Sequence, residues 1–136
     1  MELKFFDFYA VNGKKVNLLA PQNTVFPSDQ LDAYDKCCGP GGGFGEQIIP
    51  EKIWGVRISA ACYIHDRMYE VALPDIWERV QSDTVFSHNM RAIISALSKT
   101  GITKSLRMYR ATTYYNAVDY FGEKVFWRIK ERQQLA

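Results

Sequence analysis

The sequence predicts a mainly α, single-domain protein: two long helices packed antiparallel, a C-terminal helical segment and a small N-terminal β-hairpin. Three observations carry this prediction. Ile58, Ala61, Cys62, His65, Met68, Tyr69 and Ala72 recur at the i, i+3, i+4, i+7 spacing of one helix face. A second stripe, Ile76, Trp77, Val80, Phe86, Met90, Ile93, Ile94 and Leu97, follows after a short link, and consecutive long helices joined by a short link pack antiparallel. Asn12-Gly13 between two apolar runs is the strongest short signal for a hairpin.

Taken in order, the hairpin is expected over Phe5 to Val11 and Val16 to Leu19. Pro21 to Asp35 has two prolines and many turn-forming polar residues, and reads as a loop with one helical turn near Leu31 to Tyr34. In Lys36-Cys37-Cys38-Gly39-Pro40-Gly41-Gly42-Gly43-Phe44-Gly45, five of the last seven residues are glycine. Such a run is a loop, with its backbone able to turn carbonyls or amides toward a ligand. The first helix is expected to begin near Glu51 or a few residues later and to run to about Val71. Pro74 suits the first turn of the second, which ends near Leu97 before Lys99-Thr100-Gly101. A third helical stretch covers Thr103 to Phe121 and continues after Gly122 to Gln133.

Composition narrows the class. With 136 residues, 47% hydrophobic and 24% charged, the chain can bury a core of its own, and no repeat or low-complexity tract divides it. The net charge of +2 is too small to argue for nucleic acid. It is uneven, with 10 basic and 12 acidic side chains in residues 1 to 100 against 7 and 3 in residues 101 to 136. Three cysteines allow one intramolecular disulfide at most, unlike the dense framework of small secreted domains. The start, Met1 to Asp7, has neither the basic region nor the apolar run of a secretory signal, and no segment is long enough to span a bilayer. The expectation is a chain made in the cytoplasm, with any export by a non-classical or phage-associated route.

The chemistry centres on His65, which the periodicity places on the buried face of the first helix. The second stripe has one gap, filled by Asp83. Packing the two stripes together brings a histidine and a carboxylate within hydrogen-bonding range, the arrangement that fixes an imidazole tautomer for general-base work. A structural buried His-Asp pair is the other reading. Asp66, next to His65, points about 100° away around the helix. It is either an ordinary solvated residue or, beside a loop offering carbonyls, part of a hard-cation site.

These residues resemble the secreted phospholipase A2 superfamily. Its calcium loop, X-C-G-X-G-G, is matched by Cys37-Cys38-Gly39-Pro40-Gly41-Gly42. Its catalytic helix, C-x-x-H-D-x-x-Y, is matched by Cys62 to Tyr69, and the D-x-x-F of its bacterial, fungal and parvoviral branches by Asp83-Thr84-Val85-Phe86. The likeness covers about residues 36 to 90, and the hairpin and C-terminal third lie outside it. It implies a phospholipase A2-like core over residues 36 to 97, with His65 as general base, Asp83 as its orienting carboxylate and Tyr69 in the network around Asp83. It also implies a calcium ion held by Asp66 and the main-chain carbonyls of Cys37, Gly39 and Gly41, a bridge between Cys38 and Cys62, and hydrolysis of a glycerophospholipid to fatty acid and lysophospholipid. Ser59, Ala60 and Ala61 stand where the animal enzymes have an acidic residue and paired cysteines, so the compact microbial or phage-associated branch is the nearer type.

Residues 101 to 136 are aromatic and basic. That suits either a phospholipid membrane surface, the partner the resemblance implies, or aromatics closing the core beneath solvated cations. Two further readings stand beside the hydrolase: a non-catalytic phospholipid-binding module of the same fold, and a domain with structural zinc on Cys37, Cys38, Cys62 and His65, although adjacent cysteines chelate awkwardly.

Overall fold

The computed structural model describes residues 1–35, 37–38 and 50–135. The expected glycine loop therefore lies almost wholly outside the described residues, Gly39 and Gly41 included. The described chain is mostly helical with a small antiparallel hairpin, as the patterning predicts.

Strands β1 (Leu3–Tyr9) and β2 (Lys15–Pro21) pair antiparallel, with Phe5 opposite Leu19 and Tyr9 opposite Lys15. Alternation along β2 sends Val16, Leu18 and Ala20 into the core. Their turn is wider than the two-residue loop that Asn-Gly suggests. Ala10 N donates to Lys14 O at 3.0 Å and Gly13 N to Ala10 O at 2.9 Å, while Gly13 takes the left-handed φ of 80°. Leu31–Ala33 forms the single helical turn anticipated in the following loop, and Leu31 is buried.

The first helix, α1 (Ser59–Val71), starts later than Glu51. A second, tiny hairpin precedes it: β3 (Lys52–Ile53) and β4 (Val56–Arg57), turned by Trp54 at φ 47° and Gly55 at φ 83°. Two consecutive positive φ values make the tightest hairpin turn and cannot belong to an α-helix. From there the expected stripe holds along its length: Ile58, Ala61, Cys62, His65, Met68, Tyr69 and Ala72 are all buried.

Helix α2 (Ile76–Leu97) begins two residues after Pro74. The cap is Asp75, whose carboxylate accepts from Trp77 N at 2.7 Å, so the proline precedes the helix and does not sit in its first turn. The stripe is only partly as read. Phe86, Met90, Ile93 and Ile94 are buried, but Ile76 and Trp77 are exposed, and Ser82, Val85 and Asn89 are buried in addition to Asp83. Asn89 accepts from Leu19 N at 2.8 Å and donates to Leu19 O at 2.9 Å, standing in for a strand partner along β2.

Helix α3 (Gly101–Leu135) runs unbroken through Gly122 for 35 residues, about 52 Å at the usual rise. The segment that the sequence marks as aromatic and basic is divided along it. Val118 and Phe126 enter the core, whereas Tyr109 and Tyr120 face solvent. Lys130 is buried as well. Its ammonium donates to Glu70 O at 3.2 Å, to Ala72 O, and to Gln133 Oε1 at 3.1 Å, capping the C-terminus of α1, where a cation is favoured. Burial lowers its pKa from the ordinary lysine value.

Helix α2 is the central element, with β2, α1 and α3 all packed on it. Tyr69 and His65 of α1 meet Asp83 and Phe86 of α2 in reversed order, as antiparallel packing requires. Among the described residues no helix is long and apolar enough to cross a membrane.

Candidate active site

Both stripes carry one ionisable residue into the α1–α2 interface, and there the two meet. His65 Nε2 lies 2.7 Å from Asp83 Oδ1, with 2% and 0% of the side chains exposed. One turn further along α1, Tyr69 donates its hydroxyl to the same Oδ1 at 2.6 Å. Burial, then the Asp83 charge and the hydrogen bond to it, push the Tyr69 phenol well above its usual range, so it remains a donor. The other carboxylate oxygen, Oδ2, accepts from Arg79 Nη1 at 3.2 Å. Arg79 also reaches across to α3, 3.5 Å from Asp119 Oδ1. Sequence periodicity does not reveal this arginine's role. The signal was its i, i+4 spacing to Asp83 on one helix.

Apolar rings fix the imidazole. The Tyr69 and Phe86 ring centroids are 4.3 and 5.0 Å from that of His65, and Phe126 of α3 packs edge-on against Tyr69 at 5.2 Å. Gly122 of α3 comes so close that a β-carbon there would collide with the Tyr69 hydroxyl and lie 3.6 Å from Asp83 Oδ2. The glycine that reads as an interruption in the third helical stretch is thus the point where α3 passes over the network.

Beside the dyad is a small cavity lined by Cys37, Cys38, Cys62, His65, Asp66, Phe86 and Val118, with room of about 10 Å³, the scale of one water. Asp66, half-buried, belongs also to a wider groove with Val25, Pro27, Tyr63, Arg67 and Glu70. The residues expected to divide proton transfer from cation binding therefore line the same cavity. Among the described residues no group of three or more His, Cys, Asp or Glu side chains is placed to hold a metal ion by side chains alone. The expected cation set contains one carboxylate, Asp66, and otherwise main-chain carbonyls. Of these Cys37 is described and Gly39 and Gly41 are not.

Cys38 and Cys62 are joined by a disulfide with Cα atoms 5.2 Å apart, which ties the described start of the loop to α1 one turn before His65. Both sulfurs are thereby engaged and unavailable as thiolate ligands. Glu51 reinforces the tie: it accepts from Cys38 N at 2.8 Å and from the Ser59 hydroxyl. That clamp was not legible in the sequence, where Glu51 reads as the start of the helix. Cys37 keeps its thiol, which burial and the nearby Glu51 and Asp66 charges push above the ordinary cysteine value. The bridge closes a loop of 24 residues in sequence separation, for which chain entropy gives about 3 kcal/mol. Cys38→Ser/Cys62→Ser should lose roughly that much in a denaturant titration, and an unchanged midpoint would show that the bridge contributes nothing.

Neither a protein-family model nor a curated protein nor a solved structure matches the chain.

Proposed function

We propose that this chain is a calcium-dependent phospholipase A2-like hydrolase with His65 as its general base. The observation that supports this best is the buried His65–Asp83 contact of 2.7 Å beside a cavity that also takes in Asp66.

With Nε2 directed at Asp83, Nδ1 is the ring position that takes the proton from water as the water oxygen attacks the ester carbon. Asp83 Oδ1 holds the imidazolium that forms through the Nε2 hydrogen bond, and the carbonyl electron pair moves onto oxygen. When the tetrahedral intermediate collapses, His65 returns the proton to the departing alcohol oxygen, giving a fatty acid and a lysophospholipid. Tyr69 and Phe86 keep the ring from turning. Asp66 and the carbonyls of Cys37, Gly39 and Gly41 are hard oxygen donors suited to calcium, which when bound polarises the ester carbonyl and stabilises its oxyanion. The partner is a phospholipid surface, consistent with Leu73, Ile76 and Trp77 exposed at the α1–α2 corner and Tyr109 and Tyr120 exposed on α3.

The test is fatty-acid release from phospholipid vesicles, with calcium and with chelator, for the parent chain and His65→Ala. Release that needs calcium and falls roughly 10²–10⁴-fold in the variant is expected. Release surviving both changes sinks the mechanism. Vesicle binding without any release points to the binding module, and zinc found on the purified protein to the structural-metal reading.

A further inference from the structure

We infer that Arg79 is a positioning residue for the dyad, itself held by Asp119 of α3; the inference rests on the hydrolase reading above. Asp83 is wholly buried, and a buried carboxylate needs compensating charge and partners on both oxygens. Its Oδ1 serves His65 at 2.7 Å and Tyr69 at 2.6 Å. Neither brings a permanent positive charge. Among the described contacts of Asp83, the cation is Arg79, at 3.2 Å from Oδ2 with 11% of its side chain exposed.

Contacts at both oxygens fix the plane of the carboxylate, so Oδ1 is presented to the imidazole in one orientation. A guanidinium keeps its charge throughout, so the cation at Asp83 Oδ2 is the same before and after His65 takes a proton. An arginine side chain has many rotamers, and something must select this one. Asp119 does so with two acceptors, its carboxylate Oδ1 at 3.5 Å and its main-chain O at 3.5 Å. The C-terminal helix, which carries none of the motif residues, thus reaches the dyad through a second route besides Gly122.

Arg79→Gln, Arg79→Lys, Asp119→Asn and the Arg79→Gln/Asp119→Asn pair are compared for kcat and KM on a short-chain monomeric phospholipid with calcium. A misdirected base lowers turnover more than binding, so Arg79→Gln should lose roughly 10- to 100-fold in kcat with KM changed less than about threefold. Arg79→Lys should restore part of the loss by keeping the charge. Asp119→Asn should lose less, and the pair should be no worse than Arg79→Gln alone, because Asp119 acts through the arginine. A second readout is independent of turnover: the His65 imidazole N–H proton bonded to Asp83 should resonate far downfield in the parent NMR spectrum and move upfield in Arg79→Gln. If the parent hydrolyses nothing yet this resonance responds, the positioning role stands and the hydrolase reading falls. If the parent is active and Arg79→Gln lowers only the melting temperature, leaving kcat and the resonance unchanged, the positioning role is overturned. Asp119 is half exposed and its variant should fold even if Arg79→Gln does not. Unchanged kcat and resonance in Asp119→Asn would then reject the proposal.

Discussion

Asp83→Asn should lower the turnover of phospholipid roughly 10³–10⁴-fold while leaving the helical content intact, since an amide has the same shape but cannot hold the imidazolium or fix its tautomer. The loss should exceed that of Tyr69→Phe, because the phenol donates to Oδ1 at 2.6 Å without itself touching a reacting atom. The substitution also leaves Arg79 facing a neutral group in a nearly closed site, and removing one partner of a buried charged pair costs on the order of 3 kcal/mol. Turnover and denaturant midpoint are therefore measured together. Turnover within tenfold of the parent would show that Asp83 is a structural partner and not the carboxylate that orients the base.

The second large effect is expected at Gly122. An alanine in the middle of a helix ordinarily gains up to about 1 kcal/mol over glycine, yet here its methyl would overlap the Tyr69 hydroxyl and lie 3.5 Å from Cζ. Tyr69 has little room to retreat, being 1% exposed and packed on Phe126 and His65. Gly122→Ala should therefore destabilise the fold by about 1–3 kcal/mol, the usual range for overpacking. In a Tyr69→Phe background, where the offending oxygen is gone, the same substitution should cost much less. A double-mutant cycle with no coupling would mean that α3 simply shifts away, and the close approach would then carry no weight.

Much of the site was legible because its parts sit on regular helices. The 3.6-residue period put His65 on the buried face of α1 and exposed Asp83 as the polar residue out of place in an apolar stripe, and the two are in contact. The boundaries were less so. A helix beginning at Glu51 fails because Trp54 and Gly55 adopt positive φ, a choice made by the pairing of Ile53 with Val56 and not by apolar spacing. Ile76 and Trp77 fit the stripe of α2 but stand in its first turn and, among the described residues, stay exposed.

What the amino-acid order determined by itself is local: which segments are helical, where the first hairpin turns, and which face of each helix carries the ionisable pair. Periodicity and turn chemistry act over a few residues, and a single sequence displays them directly. The tertiary structure decided the rest, because those contacts join residues far apart in the chain. Arg79 finds Asp119, Lys130 finds the end of α1, Asn89 finds Leu19 and Glu51 finds Cys38 only after the helices have docked. The physical reason is the same in each case: a buried polar group must be paired, and packing selects the partner.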